Sequence, residues 1–327
     1  MLVLLRVKKR TKIVLATLAA VLVFGPFLVP VQSSGTLTNQ EAAKELWGER
    51  SEFLELAGHD VHLVRAGDPT SEKLLILLHG FGASAFSYAD ALKPLSAIGE
   101  VIAYDRAAFG FTERPTSWEQ NPYGLEGQLQ VLDELIARFG EGRQVYVLGH
   151  SAGGNIAANY ALENQSKLAG LVLFAPAVLS SGGSPSWLNW VFSIPQIDHV
   201  GPLLVSSIAE SGLDIIYRSY FDQDKVTAKV LAGYQQPLKV VGWERAFWEF
   251  NKAPRPSDVG TRLGEITIPT LVITGDTDLV VETSDSVLVS EMILESELEV
   301  IPQTGHLPNE EAPEEFARRV VSFIDRN

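Results

Sequence analysis

The run Lys73–Leu78 (KLLILL) constrains this chain more than any other feature. An unbroken apolar stretch of strand length needs a sheet covered on both faces, because alternate side chains point to opposite sides. A second buried strand is expected at Val101–Tyr104, and further strands at Gln144–Leu148, Leu168–Phe174, Thr270–Thr274 and Leu298–Ile301. Between them lie helical patterns. Tyr123–Phe139 carries apolar residues at Leu125, Leu129, Leu132, Leu135 and Ile136, one face of a helix. Helices are also expected over Ala85–Leu95, Gly153–Leu162, Ser284–Ile293 and onward from Pro313. Phe53–Ala57 and Val61–Arg65, flanking Gly58, read as an opening hairpin. The alternation predicts an α/β fold with a mostly parallel, eight-stranded sheet between helices.

The rhythm breaks after Ala175. Residues 177–265 are mostly helical in pattern and hold Trp187, Trp190, Trp243 and Trp248. A helical insert between two sheet strands reads as a cap over the carboxyl ends of the strands, where ligands bind in open α/β sheets. The expected division is a membrane anchor or signal segment over 1–33, a linker with a short helix over 34–50, a core from 51–176 and 266–327, and the cap.

Ile13 to Val31 is a stretch of nineteen residues without a charge. As a helix it spans about 28 Å, close to a bilayer's hydrocarbon thickness. Arg6, Lys8, Lys9, Arg10 and Lys12 precede it and should stay cytoplasmic, placing the remainder outside. A signal anchor is the expected reading, with a cleaved, secreted form as the alternative. A buried core helix is a third.

Without those five cations, 21 basic residues face 40 acidic ones, a net of −19. Such a surface repels phosphate backbones, so a nucleic-acid partner is not expected. The chain has no cysteine, which excludes disulfides, thiolate metal sites and a cysteine nucleophile.

Gly149-His150-Ser151-Ala152-Gly153 is a G-x-S-x-G sequence between an apolar strand and a small-residue helix. A sharp strand-to-helix turn there would lift the Ser151 hydroxyl above the sheet, and glycines two residues either side would let the backbone pass. The Ala152 N–H would lie at a helix N-terminus, where negative charge is stabilised. An ordinary βα loop is the alternative. A serine needs a base to take its proton. His306, in TGHLP after the last strand, is the candidate. His59 and His62 lie in the hairpin, His199 in the cap, and His79 and His150 beside loop glycines. The orienting acid should follow another strand, and GDTDLV supplies both Asp276 and Asp278. Spacing leaves the two open. The Phe81 N–H, in His79-Gly80-Phe81-Gly82, is the candidate second oxyanion donor.

From about residue 50 the chain resembles the α/β-hydrolase superfamily, in particular its capped epoxide hydrolase, dehalogenase and C–C hydrolase members. The motifs that carry the resemblance are HGFGAS, YDRAAFGFTERP, GHSAGG, GDTD and TGHLPNEEAPEEF, in the family's order. The resemblance implies Asp278 as the acid, three residues after its glycine, and no catalytic role for Asp105 or Gly110. Epoxide hydrolases and haloalkane dehalogenases carry a carboxylate at the elbow, and this chain has Ser151. What the resemblance leaves is acyl chemistry without metal or organic cofactor, with a small, apolar ester as the expected substrate. A C–C hydrolase or cofactor-free haloperoxidase on the same triad, and a non-catalytic ligand-binding domain, are the alternatives.

Overall fold

The computed structural model describes residues 2–179 and 190–327. Among them eight strands form one sheet: β1 (Ser51–Leu56), β2 (His59–Ala66), β3 (Lys73–Leu78), β4 (Glu100–Tyr104), β5 (Gln144–His150), β6 (Gly170–Phe174), β7 (Thr270–Gly275) and β8 (Ser296–Ile301). Their order is β1-β2-β4-β3-β5-β6-β7-β8. Only β2 runs against its neighbours, β1 and β4, and every other pair is parallel. The expected mostly parallel eight-stranded α/β sheet is thus the observed one. The longer helices are α1 (Leu2–Phe24), α2 (Asn39–Trp47), α3 (Leu125–Phe139), α4 (Ala152–Asn164), α5 (Pro195–Ser219), α6 (Ala228–Gln235), α7 (Trp243–Lys252), α8 (Thr283–Met292) and α9 (Pro313–Arg326).

The apolar runs divide between two cores as strand geometry requires. Leu74, Ile76 and Leu78 of β3 face a cluster with Val147, Leu171 and Leu173, covered by Leu132 and Leu135 of α3 and Ile156 of α4. Leu75 and Leu77 face the other way, toward Leu148, Phe174 and Ile273, under Phe316, Val320 and Phe323 of α9. Each fully buried leucine contributes about 1.5–3 kcal/mol, so the double-faced runs dominate stability.

Residues 34–50 are tied to the rest of the molecule. The Thr38 side chain and Glu41 form a reciprocal capping box at the start of α2. Ala42, Ala43 and Trp47 then enter the second core.

One expected helix is corrected. Ala85–Leu95 is a short 3₁₀ turn, Ala85–Tyr88, and a separate turn, Leu92–Leu95. Pro94 has no N–H to offer the Asp90 carbonyl and disfavours helix in the residue before it, but it is tolerated in the first turn of a new one. The Tyr88 hydroxyl donates to the Leu78 carbonyl at 2.8 Å, which holds the first turn against β3. Elsewhere the observed ends differ from the expected ones by a residue or two.

Between β6 and β7 the described helices are α5, α6 and α7, with shorter turns. Trp187 lies outside the described residues. At the other end, α1 passes into a 3₁₀ turn over Gly25–Leu28, begun by Gly25-Pro26. The window Thr11–Leu28 has mean hydropathy 2.0, and none of it is buried, so the core-helix reading of this segment is overturned.

Candidate active site

The site begins at the break between β5 and α4. Ser151 occupies φ 49° and ψ −116°, a conformation side-chain-bearing residues rarely adopt. Its cost is about 1–3 kcal/mol and must be met by surrounding structure. The Ser151 N–H donates to Phe174 O at 3.1 Å, and Ser151 O accepts from the Ala177 N–H at 3.1 Å. Neighbouring glycines make the turn sterically possible. A Cβ on Gly153 would lie 2.4 Å from Leu78 O, and one on Gly149 would lie 2.6 Å from the Gly154 Cα. Ala152 opens α4, so its N–H belongs to the positive end of that helix.

The loops after β7 and β8 meet beside this turn. A Cβ on Gly275 would fall 2.0 Å from Thr304 O, so only glycine allows the approach. His306 Nδ1 donates to Asp278 Oδ2 at 2.7 Å, and both side chains are buried. The Asp278 Oδ1 accepts from the N–H groups of Val280 (2.8 Å) and Val281 (3.0 Å), which orients the carboxylate. Asp276 is exposed and serves the turn instead: its Oδ1 accepts from Thr277 Oγ1 at 3.0 Å and from the Thr304 N–H at 3.3 Å. Desolvation raises the Asp276 pKa, but hydrogen bonds from Gln303, Thr277 and Thr304 outweigh it and hold the carboxyl below its usual range. Of the two acids left open by spacing, Asp278 is the one in contact with His306.

The remaining histidines are engaged elsewhere or support the site. His150 Nε2–H donates to the His306 carbonyl at 2.9 Å, and its ring stacks on Phe174. Burial, followed by the nearby His306, pushes its pKa well below the ordinary value. His79 Nδ1–H donates to Gly80 O at 2.8 Å, while Nε2 accepts from the Arg106 N–H at 3.0 Å. Burial and Arg106 lower its pKa to about 3. His62, on β2, donates from Nδ1 to Asp105 Oδ2 at 2.7 Å. His59 lies at the start of β2 and His199 on α5.

Three residues support the site: Arg106 and Glu311 were not singled out from the sequence, and Asp105 was assigned no catalytic role there. Arg106 is buried and donates to Gly80 O at 2.9 Å, fixing the loop that carries Phe81. Asp105 accepts from the Ala85 and Phe111 N–H groups, both at 2.7 Å, and organises the same region. Glu311, five residues beyond His306, accepts from the N–H groups of Gly305 (2.5 Å), Phe221 (3.0 Å) and Asp222 (3.0 Å). The His306 N–H itself donates to Ser219 O at 2.7 Å. The end of α5 is thereby tied to the histidine loop. Buried acids are a legible signal only when a partner is known, and two of the partners of Glu311, Phe221 and Asp222, lie 90 and 89 residues upstream along the chain.

Phe81, half exposed, packs against Phe109, Phe247 and Phe250, with ring centroids 5.8, 5.4 and 5.9 Å away. Two of those rings come from α7, so an apolar wall stands between the Phe81 loop and the helical insert. A small cavity of about 50 Å³ lies alongside, lined by Gly82, Ser84, Phe109, Trp243 and Phe247.

Residues 75–319 match the model of the alpha/beta hydrolase family, and the chain belongs to that family, in its capped branch. It is an enzyme of the α/β-hydrolase class. Lipase 3 of Moraxella sp. (strain TA144) is 24% identical over 83% of this chain and 84% of its own length. A 2-hydroxy-6-oxononadienedioate/2-hydroxy-6-oxononatrienedioate hydrolase of Cupriavidus pinatubonensis is 27% identical, covering 76% of this chain and 86% of that protein. The crystal structure of a membrane phospholipase A has the same fold, with a TM-score of 0.65 at 22% identity over 98% of both chains.

Proposed function

We propose that this enzyme is a serine hydrolase that cleaves a carboxylic ester of a small, apolar substrate through an acyl-enzyme intermediate. The 2.7 Å contact between His306 Nδ1 and Asp278, beside a strained turn bearing Ser151, carries the reading. With Nδ1 donating to the carboxylate, Nε2 is left free to accept a proton. His306 takes the proton of Ser151 Oγ as that oxygen bonds to the substrate carbonyl carbon. The carbonyl electrons move onto oxygen, and the N–H groups of Phe81 and Ala152 stabilise the oxyanion. Collapse re-forms the carbonyl and breaks the bond to the leaving oxygen, which receives the proton from His306. Water, deprotonated by the same imidazole, attacks the acyl-enzyme. Its collapse releases the acid and returns the proton to Ser151. Asp278 holds the tautomer and stabilises the imidazolium.

The aromatic wall of Phe81, Phe109, Phe247 and Phe250 favours an apolar group on the substrate. Curated relatives include lipases, monoacylglycerol lipases and C–C bond hydrolases, so ester and vinylogous diketone substrates are the two to compare. The exposed, apolar α1 with its basic leading residues supports a membrane anchor holding the catalytic domain outside the cytoplasm.

The test is labelling by a fluorophosphonate, together with turnover of p-nitrophenyl esters of graded chain length and of a vinylogous diketone. Labelling lost in Ser151→Ala and ester turnover in the parent enzyme are expected. Absent labelling, or diketone cleavage without ester cleavage, would overturn the esterase reading.

A further inference from the structure

The end of the apolar N-terminal helix is fastened to the helical insert. Val29, one residue beyond the apolar window, accepts a 3.0 Å hydrogen bond from His199 Nε2–H on α5. Gln196 repeats the contact one turn earlier, its Nε2–H donating to Val23 O at 3.1 Å, and the Phe27 ring lies 5.5 Å from the His199 ring. Further on, Glu244 of α7 accepts from Ser33 Oγ (2.7 Å), Ser34 N–H (2.6 Å) and Ser34 Oγ (2.6 Å). Gly35 approaches so closely that a Cβ there would lie 2.1 Å from Val240 O. A tether of this kind does not let the catalytic domain swing freely on a flexible stalk.

The surface held beside the anchor lacks charge. From Leu168 to Ala209 the only charged residue is Asp198, although a fifth of the whole chain is charged. Asp198 turns toward α7, where it accepts from Arg245 and Trp248, each at 2.9 Å, and pairs with Lys252. The face of α5 bearing Asp198, Gly201 and Val205 packs on Trp248 and its neighbours. Gln196, His199 and Leu203 follow the spacing of a different helical face, the one that meets the anchor. There Leu203 and Leu204 are exposed, as are Trp190 before α5 and Phe27 and Leu28 on the anchor. An uncharged leucine and tryptophan surface continuous with an apolar span suits the boundary between headgroups and acyl chains.

We propose that this face of the insert rests in the outer boundary of the bilayer that α1 crosses, with lipid as its partner. The apolar wall beside Phe81 then opens close to the leaflet, and the substrate class becomes esters that partition into lipid. The inference rests on the anchor reading of α1, and its test separates the two. Because the chain has no cysteine, single cysteines carrying an environment-sensitive fluorophore can be placed at will in the full-length protein. In phosphatidylcholine vesicles, Leu18→Cys reports the middle of the span, while Leu204→Cys and Trp190→Cys report the insert. Leu294→Cys, just before β8 and thus at the opposite end of the parallel strands, reports the far surface.

Deep nitroxide lipids should quench Leu18→Cys most strongly. Shallow ones should quench Leu204→Cys and Trp190→Cys to within about twofold of that level, since an interfacial helix buries its apolar face by only ~5–10 Å. Leu294→Cys should remain unquenched. Quenching at Leu18 with none at Leu204 and Trp190 would keep the anchor and overturn the docked face. No quenching at Leu18 would overturn the anchor and the inference together.

Discussion

Replacing Asp278 by asparagine separates the orientation of His306 from the rest of the site. Asparagine keeps the size of the side chain, and its oxygen can still accept from Val280 and Val281 as Asp278 Oδ1 does at 2.8 and 3.0 Å. Its amide nitrogen then takes the place of the oxygen now 2.7 Å from His306 Nδ1. Two donors cannot share that contact, so Nδ1 must become the acceptor and the ring proton moves to Nε2. The nitrogen required to accept the Ser151 proton is blocked, and the carboxylate charge that stabilises the imidazolium is gone. In serine hydrolases, wrong-tautomer substitution lowers kcat by about 10⁴, equivalent to about 5 kcal/mol of transition-state stabilisation. Ester turnover by Asp278→Asn should therefore fall by three to four orders of magnitude, in the range ~10³–10⁴. Its thermal midpoint should stay close to the parent's, because both backbone contacts survive. Asp276→Asn, whose oxygen can keep its bonds to Thr277 and Thr304, should hold kcat within about tenfold. Equal activity in Asp278→Asn and the parent, or a greater loss in Asp276→Asn, would refute the assignment.

Further outcomes concern stability and support. His79 is held neutral by burial, with a pKa of about 3 against an ordinary 6.5, and His150 is shifted in the same direction. The unfolded chain binds these protons first as pH falls, so the His79 contribution is full above about pH 6.5 and declines toward pH 3, by about 1.4 kcal/mol per pH unit, while His150 adds a loss of the same sign. Chemical denaturation across that range should show the decline, and a flat profile would refute the buried-neutral state. Glu311→Gln places an amide against three N–H donors and should lower stability by about 2–3 kcal/mol, with kcat falling as the His306 loop loosens. Unfolding and ester kinetics should move together, and an unchanged kcat would count against the coupling. Gly153→Ala forces a Cβ to 2.4 Å from Leu78 O and should cost about 1–3 kcal/mol by urea titration. A neutral result would mean that the elbow relaxes easily.

The layered sheet, the elbow at Ser151 and the loop containing His306 are legible in the sequence. Those features are local. Strand runs such as KLLILL declare that both faces are covered, and a G-x-S-x-G turn declares its steric needs within five residues. The sequence left Asp276 and Asp278 unresolved by spacing, since both follow β7 and either could reach past the strand end. The family resemblance pointed to Asp278, and the physical reason is tertiary: the contact with His306 depends on where the loop after β8 passes, close enough to Gly275 to exclude a Cβ. The same holds for Glu311 and Glu244. Each is an unremarked acid until distant backbone N–H groups or serines converge on it. The broken helix at Ala85–Leu95 turned on Pro94 and on the bond from Tyr88 to β3. Local steric rules can be read along a chain, but the burial of a polar group depends on partners that only folding brings within reach.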